Sequence, residues 1–123
     1  ITETDVYLFA GISGDFNPLH VDEEYAKTTP FGTRIAHGGL AASLIAPVLG
    51  MKLPGIGTVV LEISQRFKSP VFFGDTITCT VEVTGKVERM KVIEMKILWT
   101  NQRKEQVGRG SCRAIPPGSM PTR

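Results

Sequence analysis

Apolar and polar positions follow two different rhythms along the chain. From Gly57 onward, β-branched and other apolar residues alternate with polar ones, over 58–67 (TVVLEISQRF), 76–87 (TITCTVEVTGKV), 91–100 (KVIEMKILWT) and 105–115 (EQVGRGSCRAI). A period of two with this composition predicts four strands, each with one face toward a core. KSPVFFGD, ERM and NQRKE separate them, and links this short predict an antiparallel meander. Strands this long in a small domain predict a strongly curved sheet. GRG at 108–110 lies inside the last strand pattern, where glycines mark a bulge or a close approach of another backbone.

The first half keeps helical spacing instead. Val6, Phe9, Ala10 and Ile12 fall roughly on one helical face, and Thr2 three residues before Asp5 resembles a capping box with Asp in place of Glu. This helix is expected to end at Gly11 or Gly14. Beyond GDFNPLH, Asp22 is placed to cap EEYAKT, whose Glu23 and Glu24 suit the positive end of a helix. TTPFGT then reads as a turn. The segment AHGGLAASLIAPVLGMKL, 36–53, is apolar on nearly every face, which predicts a helix wrapped on most sides. Its Gly38, Gly39, Ala41, Ala42, Ser43 and Ala46 allow close packing against a sheet, while Pro47 lacks a backbone donor and loosens the last turns. Helices followed by strands make an α+β arrangement, with the apolar helix filling the concave face of the sheet.

Composition narrows the class without changing that picture. The length suits one domain, taken as 1–123 with PPGSMPTR at 116–123 as a coil tail. An apolar fraction of 41% and a charged fraction of 21% are those of a globular protein. A net charge of +2 with scattered Lys and Arg argues against a nucleic-acid partner. No apolar run approaches the roughly 20 residues of a membrane helix, so no membrane partner is expected. Cys79 and Cys112 lie far apart in strand patterns without CxxC spacing and read as buried free thiols. With no segment resembling a signal peptide, the expected setting is the cytoplasm or an organelle matrix.

Candidate chemistry gathers in SGDFNPLHVD, 13–22. Gly14 permits unusual backbone angles, Asn17 is extended because it precedes Pro18, and Pro18 fixes its own φ. On such a constrained bend Asp15 and His20 can point at one water, an arrangement for general acid–base catalysis. Asp15 has an equal alternative as an Asx-turn residue, and Asp22 a simpler role as a helix cap. The other histidine, His37, opens the apolar helix just before Gly38 and Gly39. Glycines there leave backbone N–H groups unshielded at a helix start, which is the local chemistry of an oxyanion hole. Tight packing explains them equally well. His20, Asp22 and His37 are the candidate metal ligands, but no HxxxH or CxxC spacing accompanies them, and no metal is expected. No phosphate loop, dinucleotide fingerprint or GxSxG elbow is present.

The stretch from Ser13 to Leu44 closely resembles the signature of the MaoC-like dehydratases, the (R)-specific or type 2 enoyl-CoA hydratases. The matching residues are Ser13, Gly14, Asp15, Asn17, Pro18, Leu19, His20, Asp22, Phe31, Ile35, His37 and Gly38, and FKSPVFFGDTI at 67–77 is similar to a second family turn. The resemblance runs from about Thr2 to the last strand. It implies the hot-dog fold, a long apolar helix wrapped by a curved antiparallel sheet. It also implies an activity: water added across the double bond of a trans-2-enoyl thioester, giving a (3R)-hydroxyacyl thioester. Carried over, Asp15 and His20 bind and activate that water, with Asp15 the first choice of base, and the Gly38 N–H polarises the thioester carbonyl. Asn17 orients the loop or the dyad, and His37 has a structural role.

The resemblance implies no metal or redox cofactor, an acyl-CoA or acyl carrier protein thioester as substrate partner, and a homodimer. Two positions depart from the family pattern. Gly39 stands where relatives commonly carry Met, and Ala46 where at least one relative has a site serine, leaving Ser43 as a weak substitute. The chain starts at about the helix that follows the family's usual first strand, so the sheet is expected to be one strand short or an N-terminal piece to be absent. The competing readings are a hot-dog acyl-CoA thioesterase, in which a carboxylate directs water at the carbonyl carbon, and a non-catalytic acyl-thioester binding module.

Overall fold

The computed structural model describes residues 1–118. Of the tail expected as coil, 116–118 lead into a turn and 119–123 lie outside the described residues. Strands β1 (Val59–Phe67), β2 (Thr78–Val87), β3 (Val92–Thr100) and β4 (Gln106–Ile115) each fall inside a segment whose alternation predicted one. They form one antiparallel sheet in the order β1-β4-β3-β2.

That order corrects the expected meander, because β1 pairs with β4 rather than β2. The link between β1 and β2 is too well bonded elsewhere to be a hairpin turn. Lys68 N–H donates to the Val107 carbonyl at 2.9 Å, Val71 is buried and accepts from Ala36 N–H at 2.8 Å, and Phe72 bridges Ile35. The chain thereby crosses the helical layer to the far edge of the sheet. There the buried Asp75 carboxylate accepts from the Phe72 N–H at 2.9 Å and from the Gln102 amide at 2.8 Å, fixing the turn that launches β2.

The glycines of β4 answer the question their pattern raised. Pairing with β1 runs unbroken through Gln65–Gly110, Arg66–Arg109 and Phe67–Gly108, while on the β3 side the register slips between Trp99–Gly108 and Thr100–Gln106, an irregularity at Val107 beside the first glycine. A Cβ at Gly110 would stand 1.9 Å from the Ser64 carbonyl oxygen, and one at Gly108 would stand 3.0 Å from that of Arg66. Only glycine lets β1 lie this close.

Helix α1 (Glu3–Ser13) begins with the expected capping box, Thr2 and Asp5 each accepting from the other's N–H, and stops at Gly14 in the left-handed region. Val6 and Ala10 are fully buried, but Ile12 is 86% exposed, against expectation. At 3.6 residues per turn Ile12 lies about two-thirds of a turn round from Val6, on the solvent side. Two short helices follow, α2 (Pro18–Val21) and α3 (Glu23–Ala26).

The single apolar helix is the largest correction. It divides into α4 (Gly38–Ala42), α5 (Ile45–Pro47) and a π-helical turn, Val48–Lys52. Ser43 Oγ donates to the Leu40 carbonyl at 2.6 Å and Ser43 N–H is shared between the Gly39 and Leu40 carbonyls, which tightens the first break. Pro47 has no N–H to bond back to the Ser43 carbonyl, which accepts instead from Ala46 N–H at 2.9 Å. The broken helix is not wrapped on most sides either. Ala41, Ala42, Ile45 and Leu49 pack on Met95, Ile97, Trp99 and Cys112 of the sheet, while Ala46, Pro47 and Met51 face outward. Both cysteines are free, Cys112 buried and Cys79 half-buried, and burial pushes the Cys79 thiol up to about 11, with Cys112 adding to the rise.

Candidate active site

The turn chemistry of 13–22 places its side chains by local bonds. Ser13 Oγ donates to the Phe9 carbonyl at 2.7 Å and accepts from the Asp15 N–H at 3.2 Å, tying the loop to the end of α1. Asp15 Oδ1 accepts from Asn17 N–H at 3.1 Å, the Asx turn that its neighbours predicted. Asn17 Oδ1 in turn accepts from Leu19 N–H and caps α2, with Pro18 in its first turn. Asp22 caps α3 through Tyr25 N–H at 3.2 Å, the simpler of its two roles. The Asx turn engages Asp15 Oδ1 only, and Oδ2 has no hydrogen-bond partner among the described residues.

His20 is buried, with Nδ1 at 2.8 Å from the Ile35 carbonyl. A carbonyl only accepts, so Nδ1 carries the proton and Nε2 is left with its lone pair. His37, 3% exposed, sets Nε2 at 2.9 Å from the Asp15 carbonyl and by the same argument carries its proton there. Its Nδ1 is buried without a partner. The two imidazoles stack with centroids 4.0 Å apart, and Phe9 packs on His37 at 4.9 Å. Asp15, His20 and His37 each bring a polar atom within 4.8 Å of the others. Asp15 thus takes the place that the sequence gave Asp22 in the candidate metal trio. Each ring spends one nitrogen on a backbone carbonyl, which leaves the other nitrogen of each ring without a partner among the described residues.

His20 and Gly38 line a cavity of about 460 Å³ between the helical layer and the ends of β1 and β4. Ile35, Ala36, Ala41, Ala42, Val71, Trp99 and Val107 make its walls apolar, and Gln65, Arg66, Lys68 and Ser69 stand at the exposed side. The N–H groups of Gly38 and Gly39, in the first turn of α4, have no hydrogen-bond partner among the described residues. Both glycines are also packing glycines. A Cβ on Gly38 would meet the Phe67 ring at 2.8 Å, and one on Gly39 the Phe9 ring at 3.1 Å. The two readings of these glycines therefore hold together. Ser43 stands apart, exposed, with its hydroxyl given to Leu40.

Sequence reasoning passed over Arg34. Its guanidinium donates to Glu23 at 2.9 Å, to the Tyr7 hydroxyl and to Glu3 at 3.4 Å, and lies over the Phe73 ring at 4.7 Å. One side chain thus ties α1, α3 and the β1–β2 link around the histidine pair. The partners lie from 11 to 39 positions away along the chain (34 − 23 and 73 − 34), so no local motif announces them. Trp99 is legible in the sequence as a strand residue only, and Phe67 as a strand end opening the second family turn, since alternation predicts a face and not the cavity behind it.

The sequence profile of the MaoC like domain matches residues 1–104. This chain belongs to the MaoC-like family. The MaoC-like chain is 53% identical over 100 residues to an (R)-specific enoyl-CoA hydratase of Rhodospirillum rubrum, covering 81% of this chain and 69% of the relative. It is 51% identical over 83 residues to a 3-hydroxybutyryl-CoA dehydratase of Methylorubrum extorquens, covering 68% of this chain and 53% of that one. The solved (R)-hydratase from A. caviae superposes with a TM-score of 0.91 at 39% identity, over 95% of this chain and 89% of that chain. The MaoC-like chain therefore has the α+β hot-dog fold and is a hydratase–dehydratase domain of the hydro-lyase class.

Proposed function

We propose that this protein is an (R)-specific enoyl-CoA hydratase, or 3-hydroxyacyl-thioester dehydratase in the reverse direction, adding water syn to trans-2-enoyl thioesters to give (3R)-hydroxyacyl thioesters. One observation carries the reading: Asp15 and His20 each bring a polar atom within 4.8 Å of the other, and His20 lines an apolar cavity together with Gly38, whose N–H has no hydrogen-bond partner among the described residues.

In this mechanism Asp15 and His20 hold one water. As its oxygen bonds to C3, Asp15 takes a proton, and the π electrons move through C2 onto the thioester oxygen. The Gly38 N–H donates to that oxygen as enolate charge develops. Return of a proton from the same dyad to C2 collapses the enolate and makes the addition syn. Asn17 orients the bend by capping α2, and His37 supports the dyad by holding the Asp15 main chain. Ser43 takes no part, its hydroxyl being spent on Leu40.

The protein acts as one hot-dog domain on an acyl thioester, and it works as a homodimer. Support for the dimer comes from β1, an edge strand whose nine residues are all exposed, Val60, Leu61, Ile63 and Phe67 among them. An open apolar edge of this kind is ordinarily covered. Among the described residues no helix is long and apolar enough to cross a membrane, and the two free thiols fit a reducing compartment such as the cytoplasm.

The test follows the enoyl-thioester absorbance of crotonyl-CoA after adding the protein, with chiral analysis of the product. Loss of absorbance with a (3R)-hydroxy product and no free thiol is expected. Release of free thiol would support a thioesterase, and binding without turnover of CoA or carrier-protein thioesters a binding module.

A further inference from the structure

Residues 34–37 carry the bonds that aim the site: the Ile35 carbonyl accepts from His20 Nδ1 at 2.8 Å, and His37 Nε2 donates to the Asp15 carbonyl at 2.9 Å. The main chain of this stretch is tied to α2, where Ile35 N–H donates to the Leu19 carbonyl at 3.3 Å. It is also tied to the β1–β2 link, where Ala36 N–H donates to the Val71 carbonyl and Ile35 bridges Phe72. None of these bonds reaches α1, the helix that delivers Asp15. Among the described residues, the hydrogen bonds from this stretch to α1 all come from Arg34.

Every guanidinium nitrogen of Arg34 is engaged. Nε donates to Glu23 of α3 at 2.9 Å, Nη1 to the Tyr7 hydroxyl and Nη2 to Glu3, both on α1, the last at 3.4 Å. The Thr33 hydroxyl donates to the other Glu23 oxygen at 2.7 Å, so that carboxylate is held at both ends. Each anchor leads to one member of the dyad. Asp22 ends α2 and caps α3, which joins Glu23 to His20. Ser13 ends α1 and accepts from the Asp15 N–H at 3.2 Å, which joins Glu3 and Tyr7 to Asp15. A planar fork of fixed geometry holds both anchors at once, as a single ammonium cannot. Arg34 stands outside the cavity lining. We infer that Arg34 is a positioning residue for the reaction: it clamps α1 to α3 beside the Ile35 carbonyl and thereby fixes the His20 ring relative to Asp15. The inference rests on the enoyl-thioester hydratase reading and adds to it a residue that acts through the dyad. Without the clamp the two helices lose their common tie, and a misplacement of about 1 Å between reacting groups lowers a rate by as much as roughly 10²-fold.

The experiment measures kcat and KM on crotonyl-CoA for wild type, Arg34→Met, Arg34→Lys and the double variant Glu3→Ala/Tyr7→Phe, each at a temperature where its unfolding curve shows it fully folded. Arg34→Met should lower kcat by about ten- to a hundredfold with KM within about twofold, because no contact to the thioester is removed. Glu3→Ala/Tyr7→Phe cuts the bonds to α1 and leaves Arg34 paired with Glu23. It should show a smaller fall in kcat of the same kind, and it carries the test alone if Arg34→Met does not fold. Arg34→Lys keeps the charge without the fork and should recover only part of the rate. The His20 ring supplies a readout that a plain loss of stability leaves alone. The chain has two histidines, and long-range ¹H–¹⁵N spectra distinguish a proton on Nδ1 from one on Nε2, so one ring of each kind is expected in wild type. The His20 signals should move in every variant that loses rate. Unchanged kcat in the folded variants, a rise in KM with kcat held, full recovery by Arg34→Lys, or a fall in kcat with the His20 signals unmoved each overturns the proposal. Wild-type protein inert toward crotonyl-CoA and longer enoyl thioesters defeats the hydratase reading instead, with the His20 signals of the Arg34 variants still testing the clamp.

Discussion

The imidazole of His37 lies face to face with that of His20, centroids 4.0 Å apart and planes 27° from parallel. The rings have different tasks because their protons are fixed at different nitrogens. His20 donates through Nδ1 to Ile35 and keeps Nε2 as an acceptor, whereas His37 donates through Nε2 to the main chain of Asp15. In the proposed mechanism the ring that handles the proton is thus backed by one bonded to the main chain of its carboxylate partner.

Asp15→Asn and His20→Ala are each expected to lower kcat by roughly 10²–10⁴-fold, the usual contribution of general acid–base groups. Circular dichroism and thermal unfolding should change little for Asp15→Asn, since its remaining amide oxygen still accepts from Asn17. Near-full activity in either folded variant would remove that residue from the proposed dyad.

His37 separates packing from donation. His37→Phe keeps a ring against His20 and Phe9 but leaves the carbonyl of the exposed Asp15 without its donor, a loss of about 0.5–1.5 kcal/mol, the net worth of one hydrogen bond. Reduced stability in urea and a lower kcat are expected, with His37→Gln recovering part of both through its amide N–H. Equal kcat for the two variants would mean that the bond to Asp15 does not position the carboxylate.

Gly38→Ala brings a methyl to 2.8 Å from the Phe67 ring. That ring is 61% exposed and free to swing away, so the variant should fold with a modest loss of stability and a changed KM. Phe67→Ala in the same chain should relieve the clash, and a double-mutant cycle reads the coupling. Gly110→Ala is different, because its methyl meets backbone at 1.9 Å. No rotamer relieves that contact, and the variant should lose at least the roughly 1–3 kcal/mol of ordinary overpacking, measured by denaturant unfolding.

Acid should loosen the Arg34 hub. The Thr33 hydroxyl, aided by Arg34, holds the Glu23 carboxyl below its ordinary value of 4.5. A carboxyl lowered on folding stabilises the native state above its unfolded pKa and ceases to do so as pH falls through the folded value. Unfolding midpoints measured down an acid series should therefore drop below about pH 4.5, and Glu23→Gln should flatten that drop. A slope unchanged by the substitution would show that Glu23 is not its source.

Local features of this protein were written in adjacent residues. Period-two alternation marked all four strands, Thr2 and Asp5 marked the start of α1, and the Asx and proline chemistry of 13–22 set the bend bearing Asp15 and His20. Each depends on bonds within a few positions, which spacing exposes. The pairing of β1 with β4, the breaks in the apolar helix, the His20–His37 stack and the reach of Arg34 from α1 to Phe73 were decided only in three dimensions. These join residues far apart in the chain, and their energies depend on which surfaces the packed layers bring together. Ile12 and Ser43 mark the boundary. A helical face and a hydroxyl are both legible in the string, but whether either meets protein or water follows from the neighbours that folding supplies.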